Sequence, residues 1–448
     1  MSSKKIGAAG WFNYLLSFLR DRLSGRVDMV AILKNAGWLL ADRFFRLFLG
    51  VFVSALVARY LGPDEFGELA YVLAYLAFFQ AVATLGMDGI VVRDISNEGG
   101  KEGEILGTVF TLRLLLGGGL WVFAVVGLAL VKGWNDRSVW LVAIAGSALV
   151  FQVSDTVDLW FQSQSQSKRT VLAKIIAYLL SSGTKVFLVF YQAPLPAFAA
   201  VFVIDAVAAA IALRFAYKRF PTSTKWTYIG KKARAMLSES WPFILSSLSI
   251  MVYMRIDQLM ISEYLGDRAL GIYAAMIPFS NLWHVIPMTL CVSLAPYIAR
   301  KKALGEEAYY AALLLMFRSF LMLSICISVV VALTADFLID LVYGAQYTEA
   351  AAVLKIHIFS CIPVFLGLAQ GLWVLNERRS RLAIIKTATG AFCAVLLNIA
   401  LIPTFKLQGA AVAAVLSQVS AAILINIIVA PRIFIMLLGI RWRVQSAA

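Results

Sequence analysis

Apolar runs of about 20 residues, separated by short clusters of charge, glycine and proline, recur along nearly the whole of this chain. At 1.5 Å of rise per residue, each run is long enough to cross a hydrocarbon slab about 30 Å thick. The pattern predicts twelve spans. They fall at approximately 36–59, 66–86, 105–131, 139–161, 171–191 and 197–217 in the first half, and 241–262, 270–290, 308–331, 350–373, 384–402 and 409–430 in the second. The expected fold class is thus an all-α polytopic membrane protein of about twelve transmembrane helices in two six-helix bundles. The chain divides into an N-terminal cytoplasmic segment (1–35), a first bundle (36–217), a basic linker (218–240), a second bundle (241–430) and a tail (431–448). Within the first segment, Trp11 to Leu23 places Trp11, Phe12, Leu15, Leu16, Phe18 and Leu19 beside Arg20 and Arg22. That pattern reads as an interfacial helix rather than a cleavable signal.

An internal repeat supports the division. Tyr60-Leu61-Gly62, followed by Gly67, recurs as Tyr264-Leu265-Gly266, followed by Gly271, and Arg113 and Arg318 fall at matching depths in the third and ninth spans. Six spans separate the copies. An even number keeps the two halves in the same orientation, which predicts a pseudo-two-fold axis along the membrane normal.

Composition agrees: 61% of residues are hydrophobic and 15% charged, with a mean hydropathy of +0.83. The net charge of +15 points to membrane edges rather than to nucleic acid, because the basic residues cluster between spans. With the N-terminus in the cytoplasm, about 25 Lys and Arg face the cytoplasm against about 5 outside. Both termini are therefore expected inside, in the inner (plasma) membrane. The four cysteines, Cys291, Cys326, Cys361 and Cys393, all lie in apolar runs and suggest neither a disulfide framework nor a metal site. No metal and no cofactor is expected.

Several stretches together carry a family resemblance: Asn35-Ala36-Gly37-Trp38, Arg43, Val57-Ala58-Arg59-Tyr60-Leu61-Gly62-Pro63 with Phe66-Gly67, Leu85-Gly86-Met87-Asp88, and Val92-Arg93-Asp94. Leu341-Val342-Tyr343-Gly344 with Tyr347, and Asn398 to Pro403 followed by Gly409-Ala410-Ala411-Val412-Ala413, agree with them. The chain resembles the polysaccharide-transport branch of the multidrug, oligosaccharidyl-lipid and polysaccharide flippase superfamily. The resemblance implies alternating access between two bundles. It also implies a polyprenyl-diphosphate-linked oligosaccharide as cargo, destined for a cell-surface polysaccharide such as O-antigen, with membrane lipids and polysaccharide polymerase machinery as partners.

Among the basic residues away from the ends of the expected spans, six stand out: Arg43, Arg46, Arg113, Lys185, Arg255 and Arg318. Each costs about 2.5–3.5 kcal/mol at the centre of a bilayer, so each must face a wet cavity, pair with an acid, or snorkel to an interface. Asp42 and Arg46 have the i, i+4 spacing of a neutralising pair, and Lys185 and Arg255 are near enough to span ends to snorkel. Arg113 and Arg318 lie roughly 12–15 Å deep with no acid one turn away. A cavity lined by guanidinium groups suits a diphosphate, and the six cations are the expected cargo site. Asp155, Asp158, Asp205 and Asp257 are the candidates for ion coupling. An arginine across the cavity is the competing role for Asp257, and hydrogen-bonded packing the simpler role for His284 and His357. Pro278 and Pro287 predict a break in the eighth span.

The alternatives are a drug or cation antiporter, which calls for an acidic cavity, and a peptidoglycan-precursor flippase, which carries two further spans. A membrane polymerase or ligase acting on lipid-linked glycans calls for a large outer loop. The longest expected here is about 17 residues, around Asp336 to Tyr347, and no nucleophile-base pair stands out. The expectation is a transporter, not an enzyme.

Overall fold

The computed structural model describes residues 27–97, 100–220 and 225–440; the segment Trp11 to Leu23 and the last residues of the tail lie outside the described residues. All described secondary structure is helical. Ten helices are long and apolar enough to cross a membrane, and two of them are hairpins. Val27–Ala83 is interrupted at Gly62, with φ 70° and ψ 172°, and Ser380–Val419 at Lys406, with φ 51° and ψ −133°. A straight helix of the 56 residues Asp42–Asn97 would reach roughly 84 Å, far beyond any bilayer. Contacts along the two arms show the reversal. Before Gly62, Lys168 lies over the Trp38 ring, Tyr178 donates to the Arg46 carbonyl and Tyr60 donates to the Ala193 carbonyl, so the first span runs parallel to the fifth helix, Ser167–Phe190. Beyond it, Lys132 lies over the Tyr71 ring, Tyr75 donates to Ala124 and Arg113 reaches Thr84, so the second span runs antiparallel to the third, Glu102–Lys132. Counted with the two hairpins opened, the described residues form twelve helices of membrane-crossing length, six in each bundle.

The repeat motif lies at the junction between bundles, at the end remote from the basic linker. A Cβ added to Gly67 would overlap the Asp267 carbonyl, and one added to Gly271 would overlap the Pro63 carbonyl. The contact reads the same in both directions, as a two-fold relation requires. Gly266, with φ 85° and ψ 170°, repeats the backbone of Gly62, a positive φ that residues with a side chain rarely adopt. Around this crossing Arg268 pairs with Asp64 at 3.1 Å, 204 residues away. Arg59 donates to the carbonyls of Leu341 at 2.6 Å and Val342 at 2.9 Å, satisfying acceptors that a helix end leaves open. Tyr347 donates to the Ala58 carbonyl at 2.7 Å.

Among the described residues, three spans contain a 3₁₀ turn. The fourth, Arg137–Ser163, contains a 3₁₀ turn at Gln152–Ser154; the eighth, Asp267–Ala303, one at Leu282–His284 between the two prolines; and the tenth, Glu349–Asn376, one at Ile358–Ser360. Several boundaries differ from expectation, two of them at the bundle junction and the linker. The ninth helix continues to Tyr343, so the connection expected around Asp336 to Tyr347 shrinks to the few residues before Glu349; Arg59, from the other bundle, caps the extra turns. The seventh helix begins at Gly230 rather than at 241. Its approach is pinned by Thr227 N–H donating to the Gly103 carbonyl and Ile229 N–H to Thr108 Oγ1, each at 3.1 Å. The tail contributes a short helix, Pro431–Leu437.

Small-to-large substitution at a crossing this close forces the backbones apart. Gly67→Val and Gly271→Val are each expected to cost about 3 kcal/mol, visible as a lower melting temperature in detergent when unfolding is followed by thiol reactivity of the buried Cys361. Gly118→Ala, where nothing lies within 4 Å of the added carbon, should leave the transition unchanged.

Candidate functional site

The charges buried in the first bundle gather around two adjoining cavities. The larger, about 380 Å³, is lined by Arg46 from the first span, Gln80 from the second, Gln152 and Asp155 from the fourth, Lys174 from the fifth and Asp205 from the sixth. The smaller, about 140 Å³, shares Gln152, Asp155 and Lys174 and adds Asp88, Arg113, Asp158 and Gln162. The 3₁₀ turn at Gln152–Ser154 forms their common wall and presents Gln152 and Asp155 from a helix that would otherwise be continuous.

Lys174 joins the two cavities. Its ammonium lies 2.8 Å from both Asp155 Oδ1 and Asp158 Oδ2, and Gln162 donates to the same Asp158 oxygen at 3.2 Å. Arg113, only 4% exposed, pairs with Asp88 at 2.5 Å and donates to the Thr84 carbonyl at 3.2 Å. Arg46 pairs with Asp42 at 2.8 Å, and its guanidinium lies 4.9 Å from the centre of the Tyr178 ring. Pairing offsets the cost of placing these groups in hydrocarbon. It does not use them up. Buried Arg46 Nη2, Gln152 Oε1, Asp205 Oδ1, Arg113 Nε and Asp158 Oδ1 have no hydrogen-bond partner among the described residues, and all five residues line one cavity or the other. Native proteins rarely bury so many unpaired polar atoms in one place without something polar to meet them.

The six cations expected to share one cavity do not. Arg46 and Arg113 line the pair of cavities. Arg43 is exposed. Lys185 lies over the Phe202 ring at 4.6 Å, Arg255 donates to Gln258 at 3.2 Å within the seventh helix, and Arg318 donates to the Gly439 carbonyl at 2.8 Å. Arg113 and Arg318, at matching depths in the repeat, thus have different surroundings: Arg113 meets the Asp88 carboxylate, whereas the tail folds back onto the ninth helix and offers Arg318 a backbone carbonyl. Nor is the site cationic by formal charge, since Asp42, Asp88, Asp155, Asp158 and Asp205 at least balance Arg46, Arg113 and Lys174. Among the acids, Asp155, Asp158 and Asp205 come together, whereas Asp257 lies in the second bundle, accepting from the Tyr273 hydroxyl at 2.5 Å and the Gln258 N–H at 2.8 Å. His357 shares a 2.8 Å hydrogen bond with Ser280. Among the described residues no group of three His, Cys, Asp or Glu side chains is placed to hold a metal.

Sequence reasoning missed Lys174. The expected span began at 171 and left this lysine at the membrane edge; the helix starts at Ser167 and carries it two turns inward. Asp155 and Asp158, one turn apart, were the available signal, because two carboxylates on one face of a span call for a cation across the hairpin.

Two family models match the sequence: polysaccharide biosynthesis protein over residues 32–302 and MatE over residues 242–404. Curated proteins gave no match. Solved structures similar in fold include a lipid II flippase, MurJ, in an inward closed conformation (TM-score 0.72, 14% identity, covering 89% of this chain and 90% of that one). A multidrug resistance MATE family transporter of the MOP superfamily is similar in its inward-facing form (TM-score 0.70, 14% identity, 90% and 96% covered) and in its outward-facing form (TM-score 0.63, 14% identity, 91% and 96% covered).

Removing the cation while keeping both carboxylates leaves two like charges stranded side by side. Lys174→Met is expected to cost on the order of 3 kcal/mol, read as a loss of thermal stability in detergent. Adding Asp155→Asn and Asp158→Asn to the same chain should recover most of it; a triple variant no more stable than the single one would refute the electrostatic account.

Proposed function

This chain belongs to the polysaccharide biosynthesis protein family, and from that premise we propose that it is a flippase that translocates polyprenyl-diphosphate-linked oligosaccharide units for cell-surface polysaccharide assembly. The observation that carries this reading is the set of unpaired buried polar atoms around the linked cavities of the first bundle. Guanidinium and ammonium donors there can meet phosphate or sugar oxygens, while Gln80, Gln152 and Gln162 offer both donors and acceptors to hydroxyl groups. The cargo's polar head occupies the protein interior while its lipid tail stays in the bilayer. Arg46, Arg113 and Lys174 bind the head. Arg43, Lys185, Arg255 and Arg318 act outside the cavity, at entry, exit or structural positions. The two-fold crossing at Gly67 and Gly271 is the contact about which the bundles rock, and the proline-flanked break in the eighth span lets that helix bend.

The end carrying the linker and the basic loops faces the cytoplasm of a cell with an inner membrane, with both termini on that side. In this orientation the tight crossing closes the outer end. Closer likeness to the inward-facing than to the outward-facing transporter supports that direction of opening. Polysaccharide polymerase machinery is the expected partner on the outer side. A proton- or cation-coupled antiporter is the second reading, favoured by Asp155, Asp158 and Asp205 around the two adjoining cavities; in the flippase the same carboxylates are the candidates for coupling to an ion gradient.

Reconstituted protein should protect a fluorescent polyprenyl-diphosphate-linked oligosaccharide from an external glycosidase faster than empty vesicles do. Arg46→Ala and Lys174→Met, inserted to the same level, should slow this about tenfold or more. Exchange of a drug or cation with no movement of the glycan would replace the flippase by the antiporter. Orientation is checked separately in intact cells, using a cysteine-free background and an impermeant maleimide. Gln192→Cys should label from outside, and Lys225→Cys only after permeabilisation.

A further inference from the structure

Both bundles contain a lysine that reaches back across a helical hairpin to the side chain sixteen residues before it. Lys174 donates to Asp158, and Lys386 donates to Gln370. The two lie at similar depth, seven residues after Ser167 and six after Ser380 where their helices begin, about 9–10 Å along the axis. Their surroundings differ in charge. Lys174 is neutralised by Asp155 and Asp158; among the described residues no carboxylate is within ion-pair distance of Lys386, and its recorded partner is the neutral amide oxygen of Gln370.

That amide is held in place. Gln370 is fully buried and donates to Asn426 Oδ1 at 2.5 Å, and Asn426, also fully buried, donates to the carbonyls of Ala422 at 2.7 Å and Ile423 at 3.2 Å. Those carbonyls belong to a π turn, Ser420–Leu424, inserted in the twelfth span. Such turns recur at functional sites because the extra residue re-aims the side chains around it. Here the turn and the two amides fix the oxygen that holds Lys386, leaving donors of an ammonium that carries three. A half-buried, uncompensated ammonium in a membrane-spanning helix is costly unless an anion meets it.

We propose that Lys386, oriented by Gln370 and Asn426, is an anion subsite in the second bundle that takes a phosphate-class group of a lipid-borne cargo. It rests on the transporter reading and assigns the diphosphate to the second bundle, where the ammonium has no counter-charge among the described residues, leaving to the glycan the polar cavities of the first, whose carboxylates outnumber their cations. Lys386 contacts the anion. Gln370 and Asn426 are positioning residues.

The test uses the full chain in phosphatidylcholine nanodiscs titrated with farnesyl diphosphate, with inorganic diphosphate and phosphatidylglycerol as competitors. Lys386→Met should weaken farnesyl diphosphate binding about tenfold or more, and Lys386→Arg should keep most of it. Gln370→Glu, which gives Lys386 the counter-charge that Lys174 already has, should also abolish binding without lowering the melting temperature. Equal binding by the native chain and Lys386→Met, or no binding by the native chain, overturns the subsite; equal affinity for phosphatidylglycerol overturns cargo as its occupant. The underlying reading is separated by the vesicle assay. Native-rate flipping by Lys386→Met removes the subsite and leaves the flippase. Lys386-dependent binding in a native chain that flips nothing removes the flippase and leaves the subsite.

Discussion

A charge placed in hydrocarbon must find its partner inside the protein, and much of this structure follows from that constraint. Arg46 meets Asp42, Arg113 meets Asp88, and Lys174 meets two aspartates. In each case the partner is supplied within a helix or from a neighbouring span, so the pairs also fix how the first bundle packs. Backbone groups obey the same rule. The carbonyls left open at a helix terminus need donors from elsewhere, and Arg59 supplies them across the bundle junction.

The junction itself is made by the absence of side chains. Gly67 and Gly271 bring two helices to backbone contact, a distance at which dispersion and carbonyl–peptide contacts replace the hydrophobic driving force that a lipid solvent cannot provide. A two-fold contact of this kind gives each bundle the same view of the other, so one geometry can serve as the pivot for both. Away from it the bundles have diverged. The first encloses polar cavities in which carboxylates outnumber cations, whereas the second keeps one lysine on an amide scaffold beside a π turn. Duplication set the frame, and local substitution made the halves chemically different.

That divergence bears on transport. The cargo proposed above, with its diphosphate and its hydroxyl-rich glycan, presents two kinds of surface, which suits two bundles of unlike chemistry. The break in the fourth span lies at the two cavities, where a lost helical hydrogen bond is tolerated because the backbone lines protein or cavity rather than lipid.

The succession of apolar runs was enough to determine the twelve crossings and the two bundles, because the hydrophobic thickness of a bilayer leaves few other lengths or conformations available. The repeat of Tyr-Leu-Gly with its following glycine disclosed the two-fold relation for a similar reason: a positive-φ turn and a close helix crossing each demand glycine. Site composition was legible only in part. Spacing along one helix exposed the pair Asp42 and Arg46, yet it could not show that Asp88 reaches Arg113, that Lys174 lies inside rather than at the edge, or that Arg318 is held by the tail. Those partners come from other helices, and which faces meet is decided by rotation and packing in three dimensions. Local sequence therefore determined what had to be neutralised, and only the tertiary structure decided by what.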